Sequence, residues 1–448
     1  MDRTDVMGSG ESMNRLLAIA AIGPDSLPPR ARRLAEFSLF DWMVVARAGA
    51  DQPVSAIIRD LLEKDGGTPV ATVIGGGKRL PARAAALANG TISHSLDYDD
   101  THFAHIGHPS VAIFPAALAA AEEEGCSAAE VRDAFLLGAE ASCRIGMVLG
   151  RVHYQRGFHQ TATAGAFGAT LAAGRIYGLT PVQMRHALSL VATRASGLKS
   201  QFGTMGKPYN AGIAASNGVE AAALAKRGFV SCDDGIGGPQ GFVETHSDGP
   251  DPEGPWADPP PQRFIFDDIK YKLHACCHGT HAMIEALGEV RRRRSIAPGD
   301  VKRIRVLTHP RWLRVCDIKA PRTGLEAKFS YILLAAMAMQ RVDTAAEATY
   351  TDALCQDPGL GALAARVEVS GKEALSDTQC EVDIELAGGE HIESAYDLAT
   401  PLPEEVLEAG LRTKARGLLG EATADKLWSA VAALDGVSAR DLGALLRD

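Results

Sequence analysis

Ala164-Gly-Ala-Phe-Gly-Ala-Thr-Leu-Ala-Ala-Gly174 reads as a helix with small residues on several sides. Ala116-Ala-Leu-Ala-Ala-Ala121 repeats the pattern. Small side chains let helix axes approach closely, which predicts a packed bundle rather than a coiled coil. Such Gly/Ala stripes serve packing rather than cofactor binding. Apolar spacing places the surrounding helices at 109–124, 128–150, 160–178, 180–195 and 209–228. Nearer the start, helices are expected over 14–22, 29–48 and 54–62, with Pro28-Pro29 suited to a helix start. Residues 1–12 are polar and expected to fray. Val70–Pro81 reads as a small hairpin. Its triple glycine is a turn, because no Gly-Lys-Ser/Thr ending follows.

The pattern changes at 233–262. Asp248-Gly-Pro-Asp-Pro-Glu-Gly-Pro-Trp-Ala-Asp-Pro-Pro-Pro261 sustains neither helix nor central strand, so a domain boundary is expected there. Beyond it, 301–308 alternates like a half-buried strand. Strands are also expected at 366–369 and 380–386, and a further one beginning at 388–393. Helices fall near 279–292 and 323–341, and helical spacing returns from 403 to 446.

The chain has 448 residues, 46% of them hydrophobic, and a formal net charge of −9. It can bury more than one core, and it is not built for non-specific nucleic-acid binding. Arg291-Arg-Arg-Arg294 suits a solvated helix C-terminus. The eight cysteines show no Cys-x-x-Cys spacing, so reduced thiols are expected rather than a disulfide framework or zinc site. There is no signal-peptide pattern and no apolar run of the ~20 residues that span a bilayer. A soluble cytoplasmic protein is expected, without nucleic-acid or membrane partners.

Chemistry concentrates in His94-Ser-Leu-Asp-Tyr-Asp-Asp-Thr-His-Phe-Ala-His-Ile-Gly-His-Pro109. Histidine and aspartate are the side chains that move protons or hold metals near neutral pH. If the helix expected over 82–96 continues, His94, Asp97, Asp100 and Thr101 share one face. Three crowded carboxylates should raise at least one proton affinity. Acid/base catalysis, metal binding and a solvated polar helix end all remain open for this stretch.

Three further clusters carry candidate residues. His159, in Gly157-Phe-His-Gln-Thr-Ala-Thr163, precedes an apolar helix, where backbone N–H groups favour an anion and oppose imidazolium. Lys207, in Gln201-Phe-Gly-Thr-Met-Gly-Lys-Pro-Tyr-Asn210, is either a surface charge or a fixed cation for a carboxylate. Lys270-Tyr-Lys-Leu-His-Ala-Cys-Cys-His-Gly-Thr-His281 has no diagnostic metal spacing. Its cysteines are nucleophile candidates, with burial as small apolar side chains favoured.

These clusters, in this order, resemble the MmgE/PrpD family. The likeness is carried by His94–Thr101 with His108-Pro109, by Phe202-Gly-Thr-Met-Gly-Lys-Pro208, and by Ala214-Ala-Ser-Asn-Gly218. Cys276-Cys-His-Gly-Thr-His281 and Glu326-Ala-Lys-Phe-Ser330 add to it. The resemblance implies a mainly α fold, with a large all-helical domain and a smaller inserted α+β domain. The expected ranges are 13–264 with 399–448 for the first and 265–398 for the second. It implies a homodimer, a site in the cleft between the domains, and no cofactor or metal. The substrate class is a small di- or tricarboxylate. Carried over residue by residue, Asp97, His108, His159, Lys207 and Lys272 are the catalytic positions, and Thr101, Lys207 and Lys272 bind substrate. His274-Ala275 and Gly206 depart from the usual family residues, which bears on substrate fit. The activity implied is a lyase working by proton abstraction beside a carboxylate, with dehydration of the 2-methylcitrate type placed first. Epimerisation of the iminodisuccinate type and decarboxylation of the cis-aconitate type are the alternatives. A metal-dependent hydrolase built on Asp97, Asp99, Asp100 and the histidines is a competing class.

Overall fold

A computed structural model describes residues 11–447, so the first ten residues of the polar start lie outside the described part. Residues 11 and 12 are not frayed, because they open the first helix, α1 (Glu11–Ala20). Then follow α2 (Pro29–Ala48), α3 (Pro53–Asp65), the short hairpin β1 (Ala71–Thr72) with β2 (Arg79–Leu80), and α4 (Ala82–Ser93). The bundle continues with α5 (Pro109–Glu124), α6 (Ala128–Arg156), α7 (Gln160–Ile176), α8 (Pro181–Val191), α9 (Gly206–Lys226) and the short α10 (Phe242–His246).

The small-residue helix α7 packs against α5, α6, α8 and α9, and α4 packs against α9 and α5. The contacts are close enough to need glycine. A Cβ on Gly138 of α6 would lie 2.5 Å from the Gly168 carbonyl oxygen of α7, and a Cβ on Gly90 of α4 would lie 2.8 Å from the Gly212 Cα of α9. Helix α6 runs past the expected end at 150, but Gly150 itself breaks the helical path with φ 68°.

The chain divides into two compact units. The first holds residues 11–271 and 419–447, and the second holds residues 272–418. The Pro-rich stretch expected to mark a boundary belongs to the first unit. Buried Arg144 of α6 holds it, donating to the carbonyls of Pro255, Asp258 (3.0 Å) and Arg263 (2.8 Å). The closing helices of this unit are α17 (Glu421–Ala432) and α18 (Ala439–Ala444).

The second unit is the α+β one. It contains α11 (His281–Arg293), β3 (Val301–Thr308), the short α12 (Pro310–Leu313) and α13 (Gly324–Ala327), α14 (Tyr331–Gln340), α15 (Pro358–Ala364), β4 (Val367–Gly371), β5 (Gln379–Leu386) and β6 (His391–Asp397). The sheet order is β4-β3-β5-β6, parallel between β3 and β4 and antiparallel elsewhere. Val301, Ile304 and Val306 of β3 and Cys380, Val382 and Ile384 of β5 are buried, while α11 and α14 pack on the sheet. Helix α16 (Glu404–Leu419) also falls almost wholly here, although its pattern groups it with the C-terminal helices. Its Gly410 sits so close to Leu273 that a Cβ would be 3.0 Å from the leucine Cδ1.

No helix among the described residues is long and apolar enough to cross a membrane, and no disulfide joins the cysteines.

Candidate active site

Helix α4 does not continue through the His/Asp stretch. It stops at Ser93, His94 leaves the helical path at φ −96° and ψ 0°, and Asp97 takes a left-handed φ of 52°. Aspartate tolerates that conformation better than most residues. The shared helical face expected for His94, Asp97, Asp100 and Thr101 is therefore absent. A loop folded over buried carboxylates replaces it.

Asp99 is the centre of that loop. It is fully buried, with Oδ1 2.9 Å from His94 Nδ1 and Oδ2 2.8 Å from His108 Nδ1. Burial alone would raise its proton affinity, but the two imidazoles outweigh this and hold the carboxyl well below its ordinary range. An ionised carboxylate only accepts, so His94, hydrogen-bonded to it, carries its proton on Nδ1, and the close His108 Nδ1–Asp99 Oδ2 ion pair favours a proton on His108 Nδ1 as well. In its neutral form each ring presents its lone pair on Nε2. The His94 and His108 rings lie 4.7 Å apart.

Asp100 behaves differently. Ser38 Oγ (2.9 Å), Ser110 Oγ (2.5 Å) and the Ser110 N–H (3.2 Å) all donate to it. Burial first, then the nearby Asp41 and Asp99 charges, raise its pKa to about 7 against those hydrogen bonds. Asp100 thus ties α2 to the start of α5. The other two histidines of the stretch are also structural. His102 Nε2 bonds the Ile265 carbonyl at 2.8 Å, and buried His105 fills the space left by Gly107 and Gly146.

Three predicted residues sit at helix starts. His108 caps α5 and its N–H donates to Thr161 Oγ1 at 3.0 Å. His159 caps α7 and its N–H donates to the Gly197 carbonyl at 3.0 Å. Lys207 is in the first turn of α9. The structure brings them together. Lys207 Nζ lies 2.6 Å from Asp97 Oδ2, and Asp97 Oδ1 is 3.7 Å from His108 Nε2. The His159 ring is 6.0 Å from the His94 ring and meets the edge of Phe202 at 4.9 Å, and the Lys207 ammonium lies 5.3 Å from the Phe202 ring. Burial, then the His94, Lys207 and His108 charges, push the proton affinity of His159 well below the usual value, against a small opposite pull from Asp97. Three helix N-termini and an ammonium make the place receptive to an anion.

Thr101 is fixed by its backbone, which exchanges two 2.8 Å hydrogen bonds with Lys270. Lys272 is buried at the start of the second unit, and its charge acts on Cys276 and His281 there. Burial pushes the Cys276 thiol up to about 12, so it is no nucleophile at neutral pH. Sequence reasoning passed over two residues. Asn210 contacts His159, and Phe202 sits between His159 and Lys207. Both lie in the Gln201–Asn210 motif, so the signal was their place beside Lys207.

One ligand atom from each of His94, Asp97, Asp99 and His108 lies within 4.8 Å of the others, a set able to close on a cation. Its two carboxylates already have partners, however. A cation would compete with the Lys207 ammonium for Asp97 and with two N–H groups for Asp99. The donor set is arranged for protons.

Imidazoles, an ionised carboxylate and a lysine gathered in one helical unit are the groups acid/base chemistry uses. Residues 18–255 match the MmgE/PrpD N-terminal domain and residues 274–436 the MmgE/PrpD C-terminal domain, so the chain belongs to the MmgE/PrpD family. It is a lyase-type enzyme of small molecules. It is similar to a cis-aconitate decarboxylase of Aspergillus terreus (strain NIH 2624 / FGSC A1156), 27% identical over 92% of this chain and 91% of that protein. It is also similar to the human cis-aconitate decarboxylase, 26% identical over 78% of this chain and 76% of that one.

Proposed function

We propose that the protein is a lyase that forms and quenches a carbanion beside a carboxylate of a small di- or tricarboxylate. One observation carries this reading, the unbroken run from His94 through Asp99, His108 and Asp97 to Lys207. A carbanion next to a carboxylate resembles a doubly charged enolate. It needs a positioned proton carrier and fixed positive charge. His108 is the carrier. Its Nδ1 lies 2.8 Å from Asp99, and its imidazolium form has a second carboxylate, Asp97, 3.7 Å from Nε2. Lys207 and Thr101 bind the substrate carboxylates.

Loss of carbon dioxide from an unsaturated tricarboxylate is the first reading, because relatives matching nine-tenths of the chain are named for it. The C–CO2 bond breaks, the electron pair passes through the neighbouring alkene towards a remaining carboxylate, and carbon takes a proton from imidazolium His108. Dehydration is the second reading, favoured by the lone pair on His108 Nε2. Here His108 removes the proton, and hydroxide leaves the adjacent carbon with a proton as water.

Proton NMR in deuterated water, with cis-aconitate and with 2-methylcitrate, tests the proposal. Conversion of cis-aconitate to a deuterated alkene with one carbon dioxide released per turnover supports decarboxylation. A new alkene from 2-methylcitrate without carbon dioxide supports dehydration. Deuterium exchange with inversion and an intact skeleton marks an epimerase and overturns the lyase reading. So does the absence of turnover across a panel of small polycarboxylates by folded protein.

A further inference from the structure

We propose that Asn210 is a positioning residue that holds His159 with its proton on Nε2, so that His159 meets the substrate as a hydrogen-bond donor while His108 supplies the lone pair. The role in turnover rests on the lyase reading above, but the tautomer does not.

Asn210 lies in α9, one turn beyond Lys207, and is buried. Its Nδ2 is 3.2 Å from the Leu198 carbonyl oxygen and 3.3 Å from His159 Nδ1. A carbonyl oxygen can only accept, so the atom facing Leu198 is the amide nitrogen. The reversed amide would set two oxygens against each other at that distance. The second N–H of the same nitrogen then points at His159 Nδ1, which must present a lone pair. A neutral ring in that position carries its hydrogen on Nε2. Burial and the neighbouring Lys207 ammonium oppose charging of the ring, which favours its neutral form.

The backbone around it fixes this arrangement. The His159 N–H is held by Gly197. Gly197 has φ +149°, and a Cβ there would lie 2.5 Å from the Ala162 Cβ and 3.4 Å from the Asn210 Cγ. Only a glycine lets the amide and the start of α7 come this near. On the other side Phe202 meets the ring edge-on.

Two histidines of one site are thus set in opposite tautomers by two different partners. A carboxylate, Asp99, 2.8 Å from His108 Nδ1, keeps that ring's proton on Nδ1 and leaves Nε2 as the basic nitrogen. An amide, Asn210, donates a hydrogen bond to His159 Nδ1 and leaves the ring's own proton on Nε2. His159 already has a proton where the substrate would offer one, and its other nitrogen is covered. It therefore donates to the oxygen on which enolate charge develops, and the neutral ring returns unchanged after each turnover.

Long-range proton–nitrogen NMR on protein labelled with 15N-histidine tests this without any substrate, with His159→Gln identifying the signals. The expected result is an unprotonated Nδ1 and a protonated Nε2 for His159 in the unmodified protein. A proton on Nδ1, or on both nitrogens at neutral pH, overturns the proposal. Asn210→Asp reverses the partner from donor to acceptor and should move the proton to Nδ1. Unchanged His159 shifts in a folded Asn210→Asp protein overturn the role of Asn210. With a turned-over substrate, Asn210→Asp and Asn210→Leu should lower kcat by about 100-fold, as loss of one donor to a developing oxyanion does, with a smaller change in KM. Wild-type kcat in a variant whose tautomer has moved overturns the donor role. Failure to find any polycarboxylate substrate sinks the lyase reading and leaves the NMR result standing by itself.

Discussion

Asp99→Asn changes one atom type at the centre of the site and keeps its shape. Asp99 is hydrogen-bonded to His94 Nδ1 at 2.9 Å and ion-paired with His108 Nδ1 at 2.8 Å. A bond to a charged acceptor contributes about 1.5–3 kcal/mol and a neutral one about 0.5–1.5. Two such exchanges therefore cost about 2–3 kcal/mol, reduced by no longer burying an ion. For a unit of this size the melting temperature should fall by about 4–8 °C. The chemical effect is larger. The amide nitrogen cannot accept, so one of the two rings must move its proton to Nε2 and lose the lone pair there. If that ring is His108, kcat should fall by between about 100- and 10,000-fold, the range that wrong-tautomer and lost-donor changes produce. Turnover and thermal melting, each across pH, are the assays. Because the folded Asp99 carboxyl is held below its ordinary value, its contribution to stability is complete above the ordinary carboxylate pKa of about 4. That contribution is lost as pH falls through the folded value. The melting gap between the two proteins should therefore close in acid. A folded Asp99→Asn enzyme with kcat within about threefold of the original refutes the assignment of Asp99.

Lys207→Met keeps the stem and removes the charge beside Asp97. It should lower kcat/KM by about 100-fold and shift a urea midpoint by the equivalent of under about 1 kcal/mol, since the pair is part-exposed. An unchanged KM and kcat would remove Lys207 from substrate binding. Asp100 has a folded pKa raised to about 7, so between pH 4 and 7 the folded state holds more protons than the unfolded one. Its contribution to stability is present in acid and lost as pH rises. Asp100→Asn should abolish that fall in stability in a pH series of urea melts, and an identical slope in both proteins would refute the assignment. The homodimer implied by the family likeness predicts twice the chain mass in sedimentation at micromolar concentration, and a single-chain mass would refute it.

Much of the fold can be read along the chain where the signals are local. Pro29 and Pro109 start helices that end where the spacing says, at Ala48 and Glu124, because each proline fits a first turn and nothing distant intervenes. The strands of the second unit follow alternation in the same way. The differences fall where a partner far along the chain decides. The Pro-rich stretch lies just before the division of the units at 271, and Arg144, more than a hundred residues earlier, ties it to the first unit by its carbonyls. The stop of α4 at Ser93 goes with Asp99 meeting His94 and His108 and with Asp100 finding Ser38 of α2 and Ser110 of α5. No periodicity reports that. The same holds within the site. Asp97, His108, His159 and Lys207 were identifiable from their motifs, whereas Asn210 gains its meaning only from a carbonyl and a ring nitrogen that the fold places either side of its amide.

His108, His159 and Lys207 each ride on the opening turn of a different helix, and those helices touch through glycines and alanines with no slack. The distances between these three candidate groups are consequently inherited from the bundle's interior spacing rather than from any loop. An added methyl deep in the Gly138–Gly168 seam would act like a shim, spreading the helices and parting the three side chains at their ends. Activity should therefore respond to interior substitutions well before the fold gives way, which makes turnover a finer gauge of this core than melting.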